Sequence, residues 1–146
     1  MSSINNLAID LCEIGELEES EALFRELVAG RQQVLEPEDF DIGRSLGGLA
    51  KTLEAAGKLE EALTCAQLCL AHRLEYQGPD DWHTNRERLH LARVLHKLGR
   101  NTEAIDLLQE LQASIGRNAE PDEDDRQLIS DASELLLLID KGLPEA

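Results

Sequence analysis

Four side chains between residues 86 and 97 carry the most legible chemistry in this sequence. Arg86, His90, Arg93 and Lys97 follow one another at spacings of four, three and four. On a helix that spacing lines them along one face. A stripe of guanidinium, imidazole and ammonium groups concentrates positive potential, and arginine can hold a carboxylate through two parallel hydrogen bonds. The stripe stands against an acidic background, because 30 acidic and 14 basic residues leave a formal net charge of −16. Residues 1–56 carry −8 (4 basic, 12 acidic), residues 57–100 carry +1 (7 and 6), and residues 101–146 carry −9 (3 and 12). General nucleic-acid binders and anionic-membrane binders need a basic footprint, so neither partner is expected.

Other groupings point to chemistry that the surrounding sequence does not support. Gly43-Arg44-Ser45-Leu46-Gly47 fits the G-x-S-x-G pattern of a nucleophile elbow, but that motif needs a strand before it. Here it opens a helical run, so no catalysis by Ser45 is expected and the chain reads as a non-enzyme. Cys65, Cys69 and His72 share a helical face, which would give zinc three ligands. Cys69 lies in a core register, however, where a free cysteine packs as a small hydrophobe. The run Glu120–Asp125 lacks the ligand alternation and central glycine of a calcium loop. No metal and no cofactor is expected. His83, His90 and His96 read as surface histidines, and Trp82 as a staple at the helix entry.

The elements that must position the stripe come from a repeat. Leu7-Ala8-x-x-Leu11, Leu49-Ala50-x-x-Leu53 and Leu91-Ala92-x-x-Leu95 are separated by 42 residues, as are Gly15, Gly57 and Gly99. A period of roughly 20–50 residues marks stacked supersecondary units that offer an extended binding surface. The apolar spacing is helical, and glycine just past a helix end supplies the left-handed cap. Glu36-Pro-Glu-Asp39, Gly78-Pro-Asp-Asp81 and Glu120-Pro-Asp-Glu-Asp-Asp125 break the pattern and carry helix-start signals. The pattern predicts helices at 2–14, 17–35, 40–56, 59–77, 81–98, 101–115 and 122–141. Three cysteines without a scaffold pattern suit a reducing compartment. The N-terminus has no basic segment followed by an apolar run and no stretch is long enough to span a membrane, so a cytoplasmic location is expected.

The register of small and large residues resembles that of the tetratricopeptide (TPR) family, in its 42-residue form from kinesin light chains. The likeness rests on Asn5-Asn6-Leu7-Ala8 with Gly15 and Ser20, on Gly47-Gly48-Leu49-Ala50 with Gly57 and Ala62, and on Leu89-His90-Leu91-Ala92 with Gly99 and Ala104. It departs from the family pattern at Ser20, where alanine is usual, and at Gly47-Gly48, where an asparagine pair is usual. The resemblance implies an all-α fold, a right-handed alpha-alpha superhelix of about seven helices. It implies a single domain over 1–146, with repeats near 1–36, 37–78 and 79–120 and a capping helix over 121–142.

In that family the first helix of each repeat lines a concave groove that holds a peptide. Carried over by register, the groove residues are Asn5, Asn6, Arg44, Lys51, Arg86, His90, Arg93 and Lys97. The asparagines would bond the peptide backbone and the cations would hold its carboxylates. The family's chaperone-tail clamp is poorly matched, because Asn5 and Ile9, then Gly48, then Arg86 and His90 stand at its positions, so binding to heat-shock chaperone tails is not expected. The expected function is a protein–protein interaction scaffold or adaptor that takes an acidic partner peptide. The alternative is an assembly module, including a homodimer through residues 2–35, with no peptide in the groove.

Overall fold

Leucine and alanine at helical spacing fold into seven helices among the described residues. They are α1 (Ser2–Glu13), α2 (Leu17–Val34), α3 (Phe40–Ala55), α4 (Leu59–Tyr76), α5 (Trp82–Lys97), α6 (Asn101–Gly116) and α7 (Glu123–Lys141). The computed structural model describes residues 2–34 and 36–145, with the side chains of all but 2, 3 and 31–34. The expected end of the second helix, at residue 35, lies outside the described residues. The other expected helix ends are met to within one residue. No strand occurs among the described residues, and no helix is long and apolar enough to cross a membrane.

The helix ends follow the sequence signals. Gly15, Gly57 and Gly99 have φ of 88°, 79° and 77°, the left-handed region that glycine enters without a Cβ penalty. Each proline break supplies a starting cap. Asp39 accepts from the Asp41 amide, Asp81 from the His83 amide, and Asp122 from the Asp125 amide in a reciprocal capping box.

Packing divides the chain into two compact units, Met1–His72 and Arg73–Ala146. In the first, α1 packs on α2 and α3, and α2 packs on α3. Ala8 and Ala50 are fully buried and let the helix backbones approach. Ser20, the departure from the family's alanine, is also fully buried. Its hydroxyl donates to the Ala8 carbonyl at 2.7 Å and lies 3.1 Å from Thr52 Oγ1, so one polar side chain links α2 to both α1 and α3. Surface ion pairs Arg25–Glu61 (2.6 Å) and Lys58–Glu21 (3.0 Å) join α2 to residues beyond α3.

In the second unit, α5 packs on α6 and α7, and α6 packs on α7. Ala92, Ala104, Leu108, Leu111 and Ala132 are fully buried. The segment Gly78–Asp81 is tied down by a polar network. Asp80 accepts from Arg117 Nη2 and, at 2.8 Å, from the Ser114 hydroxyl. Ser114 Oγ in turn accepts from Asn85 Nδ2 at 2.9 Å. Arg88 Nη1 donates to the Pro79 carbonyl at 2.6 Å and to Asn85 Oδ1 at 2.7 Å.

The Arg117 guanidinium, with help from the Ser114 hydroxyl, holds the Asp80 carboxyl below the usual aspartate range. A carboxylate depressed on folding contributes stability above its unfolded pKa and loses it as pH falls through the lower folded value. Wild type is therefore expected to lose more of its melting temperature than Asp80→Asn on going from about pH 5 to about pH 3. Thermal melts of the two proteins at both pH values check this; parallel losses would mean that Asp80 does not contribute.

Candidate functional site

The stripe on α5 forms at the helical register the sequence predicts, but its members have different surroundings. Arg86 is exposed and its guanidinium lies 5.5 Å from the centroid of the Trp82 ring, a cation–π distance. Trp82 in turn meets His83 edge-on, with centroids 5.1 Å apart and planes at 85°. His90 is buried, with Nδ1 3.8 Å from Oε2 of Glu87, which is buried one helical turn before it. Arg93 and Lys97 return to the surface, Arg93 partly covered.

What covers this stretch is the segment that follows α7. The left-handed Gly142 ends that helix at φ 69°, and the chain continues without helix through Leu143, Pro144 and Glu145. Arg93 Nε donates to Glu145 Oε2 at 3.1 Å. One turn along, His96 Nε2 donates to the Leu143 carbonyl at 2.9 Å. The other ring nitrogen of His96 lies 3.0 Å from Asn101 Oδ1. Thus α5 holds a carboxylate and a main-chain carbonyl from one non-helical segment. Arg93 and His96 are both expected on this helix from the sequence, whereas Glu145 lies outside every expected site. No repeat register reaches residue 145, and no signal in the repeat could have placed it there.

The expected site residues of the first unit separate in a similar way. Asn5 is fully buried, and among the described residues neither its amide nitrogen nor its oxygen has a hydrogen-bond partner. Asn6 is exposed and accepts from Arg44 Nη2 at 3.1 Å, a contact between α1 and α3. Lys51 is exposed on α3.

The remaining groupings are structural in their contacts. Ser45 is fully buried within α3. Cys69 is buried and its thiol donates to the Gly43 carbonyl at 3.2 Å, while His72 bonds the Pro37 carbonyl at 2.8 Å. Burial pushes the Cys65 thiol up, away from the reactive thiolate. Among the described residues, no group of three His, Cys, Asp or Glu could hold a metal ion.

Two family models described as tetratricopeptide repeat match, one over residues 1–75 and one over residues 88–126. No curated protein matches. Among solved structures, a protein from Podosopora anserina described as a kinesin light chain with nearly identical TPR-like repeats superposes with a TM-score of 0.78 at 19% identity. The superposition covers 96% of this chain and 68% of that one. A point variant of the same protein gives the same values. The all-α repeat fold expected from the sequence is thereby shown, and the chain belongs to the tetratricopeptide repeat family, with repeats like those of kinesin light chains.

Proposed function

We propose that this protein is a non-enzymatic binding module whose α5 face takes an extended, acidic segment of a partner protein. The family supports the coarse statement, since TPR repeats are generally protein–protein interaction modules. The observation that carries the finer one is the seat filled by the chain itself: Arg93 on the Glu145 carboxylate and His96 on the Leu143 carbonyl. One contact reads charge and the other reads backbone, which is what recognition of an extended acidic peptide needs. Arg86 and Lys97 flank this seat on the same helix and extend it at both ends. In the first unit the same reading assigns Asn6 to the partner backbone, and Arg44 and Lys51 to its carboxylates. Asn5 and His90, both buried, support these faces from beneath. Three free thiols suit a cytoplasmic setting.

A fluorescein-labelled glutamate-rich peptide and its lysine-rich counterpart test the reading by anisotropy. The glutamate-rich peptide is expected to bind despite the net charge of −16, which repels it everywhere but at this face. Arg86→Glu with Arg93→Glu is expected to weaken it about tenfold or more while circular dichroism stays helical. Glu145→Gln empties the seat of its resident carboxylate and is expected to tighten binding by about threefold. Unchanged binding in the double variant removes the proposal.

A further inference from the structure

The molecule carries a second surface, on α1, that the α5 reading does not use. Ile4, Leu7 and Leu11 of that helix, with Ile14 just past its end, fall on one stripe at spacings of three, four and three, the Ile14 amide still bonding the Asp10 carbonyl at 3.0 Å. Ile4, Leu7 and Ile14 are 43%, 51% and 72% exposed, and Leu11 is half-buried. The repeat provides an internal standard for this face. Moving 42 residues along, Ile4, Leu7 and Leu11 become Leu46, Leu49 and Leu53 of α3, which are 5%, 3% and 0% exposed.

The cover on α3 can be named. Helix α2 packs along it, with the Phe24 ring against Gly48 and Val28 against the cluster of Ile42, Leu46 and Cys69. Leu27, between them on the same face of α2, is buried as well. The stripe on α1 therefore has the register of a surface that is buried on α3, and at Leu46, the counterpart of Ile4, the cover is α2 through Val28.

Charge then separates the candidates for the occupant. Helix α1 has no Lys, Arg or His. Asp10 borders the stripe, three residues after Leu7 and four before Ile14, and Glu13 and Glu16 follow, all exposed. A second copy docking through α1 would set these carboxylates against one another, on two molecules that each carry −16. A helix with basic flanks gains where a second copy loses. We infer that the Ile4–Leu7–Leu11–Ile14 face of α1 is a docking seat for an amphipathic helix of a partner protein, with an apolar stripe bordered by Lys or Arg.

The probe is a synthetic helical peptide that keeps phenylalanine, leucine and valine at the spacing of Phe24, Leu27 and Val28 and carries lysine at the flanking positions. A second peptide has serine at those three positions and the same charge. The apolar peptide is expected to bind at least about tenfold tighter than the serine peptide, since it alone buries the stripe. Leu7→Glu with Ile14→Glu is expected to lose about tenfold for the apolar peptide. Both sites are exposed, and Leu7→Ser with Ile14→Ser serves if the glutamate variant loses helical circular dichroism. The glutamate variant makes the protein more acidic, so attraction by charge alone would strengthen binding, and that result overturns the inference. Equal affinity for the two peptides also overturns it. So does a dimer mass in light scattering that becomes a monomer mass in the variant, because the occupant would then be a second copy.

Discussion

Gly48→Ala is expected to destabilise the first unit by about 1–3 kcal/mol, the cost of overfilling a packed core. The sign is what makes the substitution informative. Gly48 lies well inside α3, where alanine normally improves on glycine by about 1 kcal/mol through backbone entropy. Here a Cβ built on Gly48 falls within contact distance of Cε1 and Cζ of Phe24, with Cδ1 at 3.0 Å. The ring is 1% exposed and cannot swing away without opening the space between α2 and α3. Phe24→Ala removes the same ring and is expected to cost about 3–5 kcal/mol as a cavity. The two changes share one volume, so the double variant is expected to be less destabilised than the sum, because the methyl at 48 partly fills the space left at 24. Urea unfolding followed by circular dichroism measures all four states. A stabilised Gly48→Ala would show that the ring does not hold α2 against α3.

The contrast between Gly48 and Gly57 marks how far the sequence could be read. Gly57 recurs at the 42-residue spacing, and its role at a helix end was legible because a repeated glycine after a leucine run has one common use. Gly48 stands where the family has asparagine, and the need for glycine there comes from Phe24, a residue that does not recur at positions 66 or 108. Repetition reveals what all units share, which here is helix ends, caps and the alanine seams. It does not reveal contacts that only one unit makes. Asn5 matches a family position, yet it is fully buried, because exposure depends on how neighbouring helices lie as well as on register. Arg93 was legible as part of a basic stripe, while the segment lying on it was not, since Leu143–Glu145 follows the last repeat and has no counterpart earlier in the chain.

Arg88 is the other residue that only one unit uses, and its loss is expected to be costly. It stands 42 residues after Leu46, so the register alone places it in an apolar interface. It is 4% exposed, and burial pulls its guanidinium below the ordinary arginine value, with Glu110 and Asp80 opposing that shift. Arginine stays charged under such a shift, and its Nη1 protons are directed at the Pro79 carbonyl and Asn85 Oδ1. Arg88→Met keeps the length and apolar stem and removes both donors. Asn85 Oδ1 then loses its donor and the Pro79 carbonyl keeps only the longer contact from the Ser114 hydroxyl at 3.2 Å, for an expected loss of about 2–4 kcal/mol. Glu110 lies 3.7 Å from Arg88 but its side chain is 65% exposed, so water replaces that partner and the ion pair adds little. Asn85→Ala removes one of the two acceptors in advance, and Arg88→Met in that background is expected to cost at least about 0.5 kcal/mol less. Trp82 is the only tryptophan and begins α5, so its fluorescence during urea unfolding reports on this unit. Equal costs of Arg88→Met with and without Asn85 would mean that the arginine fills space rather than anchoring the Gly78–Asp81 segment.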